Sequence, residues 1–490
     1  MTARFSWNQR KTRGHRPRLQ GRSINEICEN SITRMKRCIG TIVAYLTCFS
    51  VLTSAVNSFT DYKDVQHVLA FLTGTLPPEL KSSDSSAQSK AWTNWVIRHD
   101  ADIRSRLLRG DQDTLINWLL FGTSFTRQPA IPFDVFAISG DLARLISKRT
   151  KDLISALGSS DPNERNDFAR RLLLGEGYGF ETAEERARLE RHLQAEVERV
   201  VAERRQYMLR GEDFRPGDVA GQVMVESTLF RDRGLSLDTS ILPGFAVEQA
   251  LEMMKNQGLL PPNGIRRVAL IGPGLDFADK NAGFDFYPVQ TLQPFTSIDS
   301  LVRLGLSADP AEIELTTFDI SPRVNNHILA IRDRADAGAP YLLRLPKDSG
   351  SHWTPAFISY WKNIGDRIGS ETPLRPSDMT RGLEVRAFEV RPEVAARVTP
   401  VDLNVVTEKW TGPPFDLVIA TNVFVYYDKL DQSLAFAGIE AMLRPGGFLL
   451  TNNVIVESPV SNLRAVGFMT VEHSREKIDH LFWYRRNQSQ

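Results

Sequence analysis

Residues 415–453, FDLVIATNVFVYYDKLDQSLAFAGIEAMLRPGGFLLTNN, constrain the fold more tightly than any other part of the chain. Leu417 to Ala420 is an unbroken apolar run, as a strand buried on both faces requires. An amphipathic helical stretch follows it. The turn Arg444-Pro445-Gly446-Gly447 then launches a second apolar run, Phe448 to Leu450. A strand, a crossover helix and another strand make one βαβ unit, and so part of a parallel sheet.

Upstream, Arg267-Val268-Ala269-Leu270-Ile271 reads as a further strand that runs into Gly272-Pro273-Gly274-Leu275-Asp276. Glycine at such a turn lets the backbone bend sharply and approach a ligand with no side chain between them. The dinucleotide fingerprint G-x-G-x-x-G is not completed, because its last position is Phe277. The acidic residue expected about 20 positions further on is also missing, since Asp319 is more than twice as far away. Asp319 itself ends a β-rich run, Glu314-Leu315-Thr316-Thr317-Phe318, and precedes a helix-starting Ser321-Pro322. A carboxylate there can accept two hydrogen bonds from a ribose diol, or it can N-cap the next helix. A third strand, from about Ala396 to Val401, ends in Asp402-Leu403-Asn404.

In order and in wording these segments resemble class I S-adenosylmethionine (SAM)-dependent methyltransferases. FDLVIATNVFVYYD is most similar to the chemotaxis-receptor methyltransferase branch. The resemblance spans residues 237–486, with Phe468–Val471 and His480–Tyr484 as a terminal antiparallel pair. It implies an α/β, Rossmann-like sheet of seven strands, mostly parallel with an antiparallel terminal strand. It also implies SAM as cofactor, cradled by Gly272 and Gly274 beside Asp276, with Asp319 and Ile320 at the ribose. Asp402 and its apolar neighbour Leu403 would lie at the adenine, and Asn422 and Tyr426 would face the reactive methyl group. For the two tyrosines, Tyr426 and Tyr427, the competing reading is ordinary helix-on-sheet packing. Two departures stand out: Leu270 replaces a customary acidic residue, and Asp276 replaces a customary third glycine.

Methyl transfer is an in-line displacement, so the protein mainly aligns nucleophile, methyl and sulfur. The Asn-Pro-Pro-aromatic signature of nucleic-acid amino methyltransferases is absent after the fourth strand. The expected acceptor is therefore an oxygen or carboxylate nucleophile on a substrate the sequence does not name. One alternative is a catalytically degenerate methyltransferase fold serving as an envelope-associated binding or scaffold module. A weaker one is an NAD-dependent oxidoreductase. An insertion at residues 343–381 carries His352, Trp353, Tyr360 and Trp361 and reads as a substrate lid or a surface subdomain. His352 is a candidate general base or a solvent-facing loop histidine. No His, Cys or carboxylate cluster has metal-ligand spacing, so no metal is expected.

The sequence divides into a basic leader (1–34), a signal peptide or membrane anchor (35–58), a mainly α-helical domain (59–236) and the methyltransferase-like domain (237–490). In the helical part Leu107, Leu108, Leu115, Ile116, Leu119 and Leu120 recur at helix spacing around Trp118. Thr182-x-x-Glu185 reads as a capping box for a helix with Leu189, Leu193, Val197, Val200 and Val201 on one face. Residues 81–90, KSSDSSAQSK, read as a linker. Of the 60 basic and 59 acidic side chains, ten and two lie in residues 1–37, leaving the remainder at a net charge of −7. An acidic body argues against nonspecific nucleic-acid binding. The uncharged apolar run 38–56 ends near Thr53-Ser54-Ala55, a small-residue cleavage pattern. All three cysteines, Cys28, Cys38 and Cys48, lie in or before it. Export conflicts with SAM supply, which is cytosolic; a misplaced start codon would instead make the protein cytoplasmic.

Overall fold

Alternation along single strands decides how this molecule is layered. In β2 (Arg267–Ile271) of the computed structural model, Val268 and Leu270 face one apolar core while Ala269 and Ile271 face another. The structure describes residues 58–82, 84–131, 138–159, 163–211, 234–239, 241–276, 285, 288–346, 353–373, 385–455, 458–475 and 477–487. The apolar run 38–56 and His352 lie outside them. Among the described residues no helix is long and apolar enough to cross a membrane.

Before β2 come β1 (Ser58–Phe59), α1 (Tyr62–Phe71), α2 (Ser85–Phe121), α3 (Gly140–Leu157), α4 (Glu164–Gly175), α5 (Ala183–Gly211) and α6 (Leu242–Asn256). The stretch expected to be a linker holds the start of α2: Asp84 is its N-cap and accepts the Ser86 N–H at 3.0 Å. Along α2 the leucines and tryptophans bury as their spacing implies, except Leu107, which is half-buried, and Leu108, which is 53% exposed. The capping box is present, with Glu185 Oε2 accepting the Thr182 N–H at 2.9 Å and Thr182 Oγ1 accepting the Glu185 N–H at 3.2 Å.

After β2 the chain continues through α7 (Gln293–Arg303), β3 (Glu314–Phe318), α8 (Pro322–Asp336), β4 (Tyr341–Pro346), α9 (Pro355–Asn363), β5 (Gly369–Thr372), β6 (Val385–Val390), α10 (Pro392–Ala395) and β7 (Val398–Val401). It ends with β8 (Glu408–Lys409), β9 (Phe415–Ala420), α11 (Lys429–Met442), β10 (Leu443–Thr451), β11 (Leu463–Ser474) and β12 (Lys477–Arg486). The main sheet has seven strands in the order β11-β12-β10-β9-β2-β3-β7. β10, β9, β2, β3 and β7 are parallel, and β12 and β11 are added antiparallel. This is the seven-stranded, mostly parallel α/β sheet expected from the sequence. Its winding reverses between β2 and β9, which makes the C-terminal ends of those two strands the place where such sheets bind ligands.

Asp416 ties the opposite ends of these strands together. Its Oδ2 accepts the Arg266 and Arg267 N–H groups, both at 2.8 Å, and its Oδ1 pairs with Arg444. Asp416→Ala is expected to lower unfolding free energy by about 2 kcal/mol, the scale for hydrogen bonds to a charged group, as read from a denaturant midpoint. The turn Arg444–Gly447 does not precede β10 but sits inside it, as a register shift between Leu443 and Phe448.

The insertion forms its own antiparallel sheet, β4-β6-β5, with α9 packed nearby. It extends further than the sequence indicates, from Tyr341 to Val390. Tyr360 and Trp361 are buried, Trp353 meets Phe357 edge-on at 4.5 Å, and Phe357 and Tyr360 pack on Phe245 of α6, so these aromatics join the insertion to a core of the main sheet.

Candidate functional site

A cleft opens at the switch point. Its floor is the turn after β2, where Gly272 and Gly274 both have positive φ, 66° and 63°. A Cβ on Gly272 would lie 3.0 Å from Val423 Cγ2, and one on Gly274 would lie 2.8 Å from the Leu237 carbonyl oxygen. Both conformation and space therefore require glycine. Around this turn the cleft is lined from β3 by Phe318, Asp319 and Ile320 and from the segment after β7 by Leu403 and Val405. Asn422, Val423, Tyr426 and Tyr427 line it from the segment after β9.

Asp319 is the only carboxylate among these lining residues, and it is 8% exposed. Its Oδ1 accepts the Ser321 N–H at 2.8 Å, which fixes the turn into α8. Its Oδ2 has no hydrogen-bond donor among the described residues. Burial pushes this carboxyl up to about 7; the Ser321 N–H opposes the shift and the charge of Asp402 adds to it. Ser321, not Asp319, is the N-cap of α8, and the turn into the helix uses only one of the two carboxylate oxygens of Asp319.

Asn422 follows β9 with φ 59°, a left-handed conformation that asparagine adopts more readily than most residues. Its N–H donates to Asn452 Oδ1 at 2.8 Å, and its Oδ1 accepts from Asn452 Nδ2 at 2.6 Å. The Tyr426 carbonyl accepts from Arg106 at 2.9 Å, and Tyr427 is buried, which pushes its phenol well up.

Two sequence candidates stand apart from the cleft lining. Asp276 is buried just beyond the glycine turn, with its N–H on the Gln290 carbonyl at 2.7 Å. The carboxylate of Asp402 pairs with Arg104 of α2 at 2.7 Å. Arg104 also binds Asp100 at 2.9 Å and Glu408 at 3.0 Å, so α2 is clamped to the end of the sheet. Leu270 is fully buried in apolar surroundings, where a carboxylate would lack partners of the kind Asp319 has.

The remaining wall is one the sequence did not disclose: Leu107 of α2 and Leu235, Ser236 and Leu237. The Leu235 N–H donates to the Arg106 carbonyl at 3.1 Å, and the Leu275 N–H donates to the Leu237 carbonyl at 2.7 Å. This contact depends on Gly110 and Gly234, where an added Cβ would fall 1.9 Å from the Leu235 carbonyl oxygen and 2.0 Å from the Gly110 nitrogen. Two isolated glycines were the only available signal, and nothing in the sequence pairs them. The wall leaves the cleft about 90 Å³, below the roughly 300 Å³ at which small-molecule pockets begin.

No family model matches the chain. A chemotaxis protein methyltransferase of Klebsiella aerogenes is 38% identical over 65 residues, 13% of this chain and 22% of that protein. The chain thus spans about a fifth of the length of the curated relative it matches. Among solved structures, N-methyltransferase NodS from Bradyrhizobium japonicum WM9 is 12% identical, with a TM-score of 0.24, over 49% of this chain and 97% of that one. Magnesium protoporphyrin IX methyltransferase ChlM from Synechocystis PCC 6803 is 10% identical over 50% and 81%, also with a TM-score of 0.24. TrmN from Thermus thermophilus is 12% identical over 53% of each chain, again at 0.24. The strand order and the antiparallel β12 make this a Rossmann-like α/β sheet with the topology that the sequence resemblance to class I methyltransferases implied.

Proposed function

We propose that the cleft binds SAM and that the protein transfers its methyl group to an oxygen or carboxylate nucleophile of a small-molecule or protein substrate. The observation that carries this reading is Asp319 Oδ2, a nearly buried acceptor with no donor of its own, beside a glycine turn that leaves backbone bare. A ribose diol supplies the missing donors. Ile320 and Leu403 offer apolar surface to the adenine, while Asn422 and Tyr426 border the place where an acceptor would meet the methyl group. SAM brings an activated sulfonium methyl; the chain's own task is alignment and exclusion of water. An acceptor that arrives as a carboxylate needs no general base.

On this reading Leu107 and Leu235–Leu237 shift when the ligand enters. Leu107→Ala is expected to raise SAM affinity several-fold by widening the cleft, as calorimetry would show. A catalytically degenerate fold used as a binding module is the second reading, favoured by the tight cleft and by the capture of Asp402 by Arg104. Titration of the full chain with SAM, with NADH as control, separates the two. Micromolar SAM binding supports the enzyme. Absence of binding in both the wild type and Leu107→Ala sinks it. Within the same proposal, residues 38–56 are an export signal or a membrane anchor, unless the leader is a misplaced start, in which case the protein is cytoplasmic.

A further inference from the structure

A second cavity, of about 460 Å³, lies among α4, α8, β4 and residues 288–290. None of its lining residues belongs to the SAM cleft. Its floor is fixed by a closed set of hydrogen bonds. The Gln290 amide is locked onto the backbone of Arg344, donating to the carbonyl at 2.7 Å and accepting the N–H at 3.0 Å. Tyr341 Oη accepts the Thr291 N–H at 3.0 Å and lies 3.0 Å from His327 Nε2. The Tyr341 hydroxyl proton has no other acceptor among the described residues, and the His327 tautomer with a bare Nε2 supplies one. Burial, then the charges of Arg323 and Arg334, hold His327 neutral, down at about 4. A neutral imidazole that accepts at Nε2 carries its proton on Nδ1, which has no partner among the described residues.

At the rim stands Arg334, which among the described residues makes one long hydrogen bond, 3.4 Å to the Pro340 carbonyl. Glu164 is the acidic lining side chain, and its Oε2 is taken by the Val289 N–H at 3.0 Å. Val289, Ile331, Ala330 and Leu342 supply apolar wall. The cavity therefore offers a guanidinium and an imidazole N–H with no partner among the described residues, next to apolar surface and within the size range of a small-molecule site.

We propose that this cavity is a second binding site, which takes the carboxylate or phosphate group of a small organic acid on Arg334 and His327. The full chain would be titrated separately with hexanoate and with inorganic phosphate, followed by calorimetry. One-to-one binding of hexanoate marks a carboxylate on an apolar body as the ligand class; binding of phosphate marks a phosphoryl group. Arg334→Ala, at the exposed rim, is expected to weaken that binding at least tenfold with unchanged helix content, and His327→Phe to do the same. Proton NMR of His327 adds an independent signature, since a bound anion shifts its titration upward. SAM affinity should be the same in Arg334→Ala and wild type, so the fate of the cleft does not decide this site. No binding of either titrant, or equal binding by both variants, overturns the proposal.

Discussion

Asp319→Asn is expected to weaken SAM binding by about a hundredfold or more while making the free protein more stable above neutral pH. The first effect follows from removing the charge that two ribose hydroxyls would use, each such bond contributing about 1.5–3 kcal/mol. The second follows from the raised carboxyl, about 7 in the fold against 3.8 as its reference. A raised carboxyl means that the native state holds its proton more tightly than the unfolded chain does. Stability is therefore lost as pH rises from about 4 to about 7, and the full penalty is present above that window. The shift sets an upper bound on the order of 4 kcal/mol for the penalty, which asparagine would remove. Melting curves of wild type and variant should converge near pH 4 and separate near pH 8, the variant melting higher. Wild-type SAM affinity should also climb between pH 6 and 8, a dependence the variant loses. Convergent melting at pH 8, or an unchanged affinity, would sink the assignment of Asp319 to the ribose.

Arg149→Ala is expected to have the largest effect on stability, about 3–5 kcal/mol. Arg149 is wholly buried in α3. Its guanidinium donates to the carbonyls of Leu119 at 2.8 Å, Gln128 at 2.9 Å, Pro129 at 2.8 Å and also Gly122. Burial pulls it down to about 10, and the charges of Asp285 and Asp152 work against that shift. Alanine would leave without this donor four carbonyls at the end of α2 and in the loop that follows it. Lysine should recover little, because one ammonium cannot reach four acceptors with the geometry of a planar fork. The measurement is the urea midpoint of the three proteins. A loss below about 1 kcal/mol in Arg149→Ala would mean that those carbonyls find water instead.

The parallel strands were legible because burial on both faces turns them into continuous apolar runs, as at Leu417–Ala420 and Val268–Ile271. Arg444–Gly447 was misread as a turn ahead of its strand because Pro-Gly-Gly signals a turn wherever it occurs, and a register shift inside a strand uses the same residues. The edges of the insertion were missed because Tyr341 and Val390 pair with each other across a small antiparallel sheet, a register no local pattern announces. In the cleft, local motifs pointed to Gly272, Gly274, Asp319 and Asn422, each of which does line it. The wall from Leu107 and Leu235 and the pairing of Asp402 were hidden, since Arg104 lies 298 residues before Asp402.

The reach of α2 has a consequence in time. Its first half packs with Trp92, Trp95 and Ile103 into one core, and its second half packs with Leu115, Trp118 and Leu119 into the other. His99 binds Asp431 at 2.6 Å across 332 residues of chain. During synthesis at about 5–20 residues per second, α2 leaves the ribosome roughly 20 to 60 s before that partner exists. Its first half, with Trp92 and Trp95, lacks for that interval the members of its core that come from residues 403–463. A ribosome that stalls before residue 431 would release a product whose α2 is held along its second half but lacks part of the core that covers its first half.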